Sequence, residues 1–541
     1  MVSTLGVKNM TTEGSLRREF SLNKWEVAFL LVVYLIGLYL RLAPRLEIDP
    51  HLLTFQGDIW YRLTMAQSIQ DHWVLPEPDI RYRAYLPVPL WYPPLSLIFF
   101  AVTSSLTGLD IPTVSSRILP FFEALAPLSM YFLGRYLYDQ QVGVISTLTL
   151  ALTPNFVFWS GISDPQSLTL LLIPILVMLW VMHSRENDNW ILLMMGLAMG
   201  FVFLLHLSYF IVVLVLLMVT IGIIAKGEAN MSLLLDLGKV IAISQIIAAP
   251  WWLPRNLYWW WIKALVTSSG LYPVGHQLQD YGVVAAILGL ISYAYLLLGG
   301  RKHMIIFLWA IPILIETQNE AILKAAGAMH LSWTTLAKPL EGFRFYPFLA
   351  QPFALAAGVM LSNRRITTFL AVALLAGLTW NLWDYGLFGK FQNSGITPGE
   401  YEAAVWFRYN SQPTDRIIAD YYRGQMFAGV SGGKALLGGV FPLRNVEHQF
   451  IRAPGKVQND LFILYNVSNP VIAINIAKRY NATHIFYSDN MRNYGNLLSY
   501  YKPASDYGVD VVLEKFTDER YFETVYERDT PYGAVKIFRV K

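Results

Sequence analysis

A polytopic α-helical membrane protein with an extracytoplasmic α/β domain at its C-terminus is the fold class predicted, and three observations predict it. The 541-residue chain is 55% hydrophobic and 14% charged, and its apolar residues run uninterrupted over span lengths. Every second short segment between the later runs is basic, as cytoplasmic loops are. From about residue 387 the apolar runs shorten to strand length and charge rises. The absence of cysteine excludes disulfides, thiolate metal sites and cysteine nucleophiles. The net charge of +4 is small and there is no polybasic run, so nucleic acid is not an expected partner.

Residues 1–24 are polar and read as a cytoplasmic N-terminus rather than a cleavable signal, because no small-residue cleavage site follows. Arg17, Arg18 and Lys24 precede the first span, 25–42, and the positive-inside rule puts them in the cytoplasm. Residues 43–93 form an external loop with Asp49, Asp58, Asp71 and Asp79. Its exit, through Pro87, Pro89, Pro93 and Pro94, forbids a regular helix. Three apolar stretches follow (94–108, 118–137, 142–158), broken by Pro120, Pro127 and Pro154. Later spans are predicted at 165–182, 189–205, 207–225, 237–253, 282–299, 303–316, 345–362 and 366–383.

The basic loops at 299–303 and 362–365, with Arg185 and Lys226, belong inside. Residues 254–281, 317–344, everything after 384, and Asp164 then lie outside. Asp58 and Asp164 share a side only if an even number of spans separates them. Either one of the three stretches does not span, giving about 11 spans, or the region holds four short ones, giving 13. Thirteen is the expectation. The transmembrane domain is 25–386 and the soluble domain 387–541. In the latter, a helix is predicted at 400–409, strands at 416–420, 434–437 and 484–488, a helix ending at 475–480, and a hairpin at 521–527 and 534–540.

The first external loop contains Gln56-Gly57-Asp58-Ile59-Trp60-Tyr61-Arg62. A charge at the bilayer centre costs about 3 kcal/mol on insertion scales, so this stretch reads as an amphipathic segment at the outer surface. Asp58 faces a site, or Trp60 and Tyr61 merely anchor in the headgroups. A second acid, Asp164, lies in Trp159-Ser160-Gly161-Ile162-Ser163-Asp164-Pro165-Gln166 at the outer mouth of a span. It caps the helix that Pro165 opens, or it joins Asp58 in binding a hard divalent cation, Mg²⁺ or Mn²⁺. The tryptophans Trp251, Trp252, Trp259, Trp260 and Trp261 read as an interfacial belt or as a groove for a lipid chain. Asn466-Val467-Ser468 and Asn481-Ala482-Thr483 are external sequons.

With these residues the chain resembles the GT-C glycosyltransferases, and within them it is most similar to the catalytic subunits of oligosaccharyltransferases, in a divergent archaeal or bacterial form. Gly57-Asp58-Ile59-Trp60-Tyr61-Arg62 is similar to the family's first-loop motif. Pro154 through Gly161, Asp164 and Gln166 resemble its second, with Gln166 where a second acid is usual. Arg344-Phe345 resembles its donor-binding arginine.

The resemblance implies thirteen spans and an external α/β domain in a multi-pass protein of the cell membrane. It implies transfer of a sugar or oligosaccharide from a polyprenyl (dolichyl) phosphate or diphosphate carrier to a protein, lipid or glycan acceptor on the external face. Asp58 and Asp164 would be catalytic. Asp58, Asp164, Gln166 and His276 would hold Mg²⁺ or Mn²⁺. Arg344 and Arg62 would meet the donor phosphate.

Two features depart from the pattern. The external loop 254–281 lacks the expected glutamate and offers His276 and Asp280 instead. The acceptor-reading signature is met by Trp383-Asp384-Tyr385-Gly386 too early in the chain, and by Asp420-Tyr421-Tyr422-Arg423-Gly424 at a fitting position, so Asp420, Tyr421 and Tyr422 are the acceptor-binding candidates. The competing expectations are a single-sugar transferase using a polyprenyl monophosphate, as in protein O-mannosyl or lipid-modifying enzymes, and an inactive GT-C-like scaffold. A transporter would need polar residues at mid-span depth, where Glu123 is the main exception to clean spans.

Overall fold

The computed structural model describes residues 21–52, 57–76, 90, 92–162, 165–206, 208–254, 281–317, 345–362, 368–392, 396–432, 434–435, 460–461, 463–493 and 512–541; for Asp58, Tyr61, Tyr421 and Tyr422 it describes the backbone alone.

Helix α1 (Lys24–Leu46) starts at a capping box. Asn23 accepts from the backbone of Trp25 and Glu26, and the Glu26 carboxylate accepts from Asn23 N–H at 2.7 Å. Its 23 residues rise about 35 Å, enough to cross a bilayer. Helix α2 (Gly57–His72) follows α1 in the segment before the next apolar stretch.

Helix α3 (Leu95–Thr107) ends at Gly108 in the left-handed conformation, φ 71°. Asp110 then caps α4 (Ile111–Leu137), accepting from Thr113 N–H at 2.8 Å, and the two helices are bent by 109°. The 13 residues of α3 rise only about 20 Å, short of the hydrocarbon thickness. Helices α3 and α4 pass the length and composition test for a span only together, as a bent pair of the kind a broken span or a re-entrant loop makes. Among the described residues, the bent pair α3–α4 and the pair α5 (Gln140–Ala151) and α6 (Pro154–Trp159) lie between Asp58 and Asp164. Counted as one span each, the two pairs give the even number that the eleven-span arrangement requires.

The apolar bundle continues with α7 (Gln166–Glu186), α8 (Asn189–Leu205), α9 (Tyr209–Ala225), α10 (Ser232–Trp252), α11 (Val283–Leu298), α12 (Met304–Thr317), α13 (Tyr346–Leu361) and α14 (Thr368–Asp384). Each falls within a few residues of its predicted span. Among the described residues three helices, α1, α7 and α10, are by themselves long and apolar enough to cross a membrane. Helix α13 is buried on every side and packs against α5, α11 and α12, which makes it the centre of the bundle. The crossing is close: a Cβ on Gly358 would lie 2.8 Å from the Val142 carbonyl oxygen and would overlap the Ser146 hydroxyl.

After the short helix α15 (Leu387–Gln392) comes the α/β domain. It contains α16 (Pro398–Asn410), β1 (Ile417–Ile418), α17 (Tyr421–Ser431), α18 (Pro470–Arg479), β2 (His484–Ser488), β3 (Phe522–Thr530) and β4 (Gly533–Val540). The sheet order is β1-β2-β4-β3, with β1 parallel to β2 and the rest antiparallel. The predicted strand 416–420 shrinks to two residues because Asp420 leaves it to cap α17. Of 434–437, Ala435 makes a bridge to Ile417, and residues 436–437 lie outside the described residues. The C-terminal hairpin forms as expected, turning at Gly533 with φ 106°.

Candidate active site

Helix α2 carries Asp58 and Arg62 four residues apart, a spacing that puts both on one face. Its apolar residues divide between two cores. Ile59, Leu63, Met65, Ala66 and Ile69 pack with α3 and α4, whereas Trp60 enters the core of the C-terminal domain. Trp60 is 4% exposed and stacks on Tyr401 with ring centroids 5.7 Å apart. The headgroup-anchor expectation is thus corrected for Trp60, because a protein surface covers it. Arg62 is buried, and its Nη1 donates to the Tyr92 hydroxyl at 3.2 Å, which directs the guanidinium toward the proline-rich exit of the same loop.

Three segments meet beside α2. The His51 ring lies between Asp49 Oδ1, 2.8 Å from Nδ1, and Asp110 Oδ2, 2.9 Å from Nε2. It also faces Tyr401, with centroids 5.4 Å apart. Burial would raise the Asp49 carboxyl, but hydrogen bonds from His51 hold it below its ordinary value. Thr113 and His51 do the same for Asp110 against its own burial. Burial, with Asp49 and Asp110 nearby, pushes the Tyr401 hydroxyl up to about 12.

Below the loop lies a set of buried charges that sequence reasoning found only in part. Arg41 is fully buried in α1, donating to the Gly37 carbonyl at 2.9 Å and the Ser160 hydroxyl at 2.5 Å. Arg45 pairs with Glu123 at 3.5 Å, so the polar exception in the spans has a counter-charge. Arg117 donates to the Ile48 carbonyl at 2.7 Å and to the Arg45 carbonyl. Arg41 thereby ties α1 to the turn that leads into Asp164.

Asp164 itself lies outside the described residues, as do His276, Asp280, Arg344 and Trp259, Trp260 and Trp261. The N-cap of α7 is Pro165, one residue later than the cap expected at Asp164. Gln166 opens α7 and is buried. Trp251 is buried in the bundle core, which corrects the belt expectation for it, whereas Trp383 is 82% exposed at the end of α14. Among the described residues no three histidine, cysteine, aspartate or glutamate side chains could share a metal ion.

The Asp420 carboxylate has two tasks inside its own domain. Oδ1 accepts from Arg423 N–H at 2.9 Å as the N-cap of α17, and Oδ2 accepts from Arg423 Nη1 at 3.1 Å. Arg423 Nε donates to Glu400 Oε1 at 2.8 Å, and Glu400 Oε2 closes the capping box of α16 on Thr397 N–H at 2.7 Å. Burial raises the Asp420 carboxyl above its ordinary value, only partly offset by Arg423. Burial alone would lower the Arg423 guanidinium, but the two carboxylates raise it. The Asp420 side chain is buried with both oxygens engaged inside its own domain, and Tyr421 and Tyr422 are placed in the first turn of α17 by backbone alone.

Among solved structures, the chain is similar to the oligosaccharyltransferase AglB from Archaeoglobus fulgidus in complex with an inhibitory peptide and a dolichol-phosphate. The TM-score is 0.62 at 13% identity, over 95% of this chain and 74% of that one. It is similar to ArnT from Cupriavidus metallidurans bound to undecaprenyl phosphate, with TM-score 0.56 and 12% identity, over 98% of this chain and 99% of that one. For the arabinofuranosyltransferase AftD from Mycobacteria, the values are 0.52 and 11%, over 96% and 40%. No protein-family model and no curated sequence matches the chain. Identities this low speak for architecture, and the three architectures agree: this chain is a polytopic membrane protein with the GT-C glycosyltransferase fold.

Proposed function

We propose that the protein is a membrane glycosyltransferase that moves a sugar or oligosaccharide from a polyprenyl (dolichyl) phosphate or diphosphate to an acceptor on the external face. The observation that carries this is the length of the structural likeness. It runs over nearly the whole chain to proteins solved with dolichol-phosphate and undecaprenyl phosphate. We place the C-terminal domain and the first loop outside and the N-terminus in the cytoplasm, with 25–386 as the membrane domain and 387–541 as the soluble one.

The chemistry follows from what sugar transfer needs. Positive charge develops at the anomeric carbon as the phosphate leaves. Arg62 and Arg344 would hold the phosphate oxygens. Asp58 would orient the acceptor or take its proton. Asp58 and Asp164, with Gln166 and His276 nearby in role, would bind Mg²⁺ or Mn²⁺, which when bound neutralises charge on the leaving phosphate. A neighbouring structure, the A. fulgidus oligosaccharyltransferase in complex with Zn and sulfate, supports divalent-metal use in this fold.

An oligosaccharyltransferase-like reaction leads by motif resemblance. A single-sugar, monophosphate-dependent reaction is favoured by two observations: the chain spans 99% of ArnT against 74% of AglB, and Asp420 is occupied within its own domain. The test is transfer by the purified protein from radiolabelled polyprenyl-linked sugars, with Mn²⁺ or with EDTA, beside Asp58→Ala and Asp164→Ala. Metal-dependent transfer lost in both variants is the expected outcome. Transfer that survives EDTA but not Asp58→Ala selects the monophosphate reaction. No product from any donor, with both variants still complementing a deletion, leaves a scaffold role.

A further inference from the structure

Helix α17 ends on Gly432 in the left-handed conformation, φ 73°, so a second glycine three residues earlier is not needed to terminate it. Glycine is also the poorest helix former after proline. Gly429 is explained by what lies above it. A Cβ there would overlap the Thr64 hydroxyl oxygen, and would stand 3.2 Å from Trp60 Cε3 and 3.5 Å from the Trp60 carbonyl oxygen. Helix α17 thus rests with its backbone against α2, over the residues between Asp58 and the end of the loop helix. Two further contacts fix the same seam: Trp60 stacked on Tyr401, and Tyr401 facing the His51 ring that bridges Asp49 and Asp110.

We infer that Gly429, with Trp60 and Tyr401, is a positioning site through which the C-terminal domain sets the height of α2, and with it Asp58 and Arg62, over the membrane-embedded half of the site. The catalytic part of this inference rests on the proposed transfer reaction; the geometric part does not. The contact is close enough that one added methyl group must displace the Thr64 hydroxyl or move α2 or α17. Displacements near 1 Å cost a reaction on the order of a hundredfold in rate.

The test uses the full chain carrying Gly429→Ala, Thr64→Ala, or both. Because the chain has no native cysteine, spin labels can be attached at Gln67→Cys on α2 and Asn410→Cys on α16, both exposed, and their separation measured. Gly429→Ala is expected to shift or broaden that distance and to lower kcat about tenfold or more, with donor KM changed less than about twofold. Thr64→Ala alone is expected to be near native, since its hydroxyl bonds only the Trp60 carbonyl of its own helix at 2.7 Å. Adding it to Gly429→Ala should restore both readouts, a non-additivity that a general loss of stability does not produce. If Gly429→Ala alone does not fold, recovery of folding by Thr64→Ala reads the same contact. An unchanged distance in Gly429→Ala overturns the inference, as does a shift that Thr64→Ala leaves in place, or a shifted distance with native kcat. If the native chain transfers no sugar from any donor, the functional proposal fails while the distance measurements still decide the seam.

Discussion

Arg423 answers two buried carboxylates at once. Arg423→Met would leave Asp420 and Glu400 buried with no cation between them. Breaking such a pair costs about 3–5 kcal/mol, expected as a lowered melting temperature of this domain. His484 gives a pH signature. Burial lowers its imidazole from the ordinary 6.5 to about 4, so the folded domain holds the neutral ring. Stability from this residue is complete above pH 6.5, falls as the unfolded chain takes up protons, and stops falling once the folded ring protonates near pH 4. Thermal melts between pH 7 and 4 should show this slope, and His484→Gln should flatten it. At this scale the sequence was informative where residues are neighbours: Asp58 and Arg62 stand out by spacing. It was silent on Arg41 and Ser160, whose hydrogen bond joins positions 119 apart.

Helices were legible as lengths of apolar sequence, which is why α7 through α14 lie close to where they were expected. Length alone could not show that the chain bends by 109° after 94–108. The signal was local: Gly108 to reverse the backbone, Asp110 to cap, and Pro112 in the first turn. Asp110→Ala is expected to cost about 1 kcal/mol for the lost cap and also to free one side of His51. A melting shift larger in the native chain than in a His51→Ala background would show both. In the bundle, Gly358→Leu would press on α5 at Ser146 and Val142. Overpacking of this kind costs about 1–3 kcal/mol, measured as a lower midpoint of thermal aggregation in detergent. The strands were harder to read than the helices. Short β1 is held by parallel pairing with β2 rather than by its own pattern, whereas the hairpin β3–β4 was plain from alternation.

Across the whole molecule, the change of composition near residue 387 was legible in the sequence, but the contact of α2 with the C-terminal part was not. Trp60, on α2, completes the core of the C-terminal domain. Trp60→Ala is accordingly expected to destabilise that domain by about 3–5 kcal/mol, seen as an earlier melting transition for the soluble part in the full-length chain. The burial of α13 on every side also bears on the order in which the protein is made. Its neighbours α5, α11 and α12 all precede it in the chain, so the ribosome has already released the walls of its slot when α13 emerges. It then exchanges lipid for protein around its whole circumference, and Gln351, which donates to the Leu170 carbonyl at 2.6 Å in the finished bundle, gains a partner only on arrival. The centre of the molecule is filled late in synthesis, and a ribosome stalled before residue 346 would leave a bundle with a vacant axis.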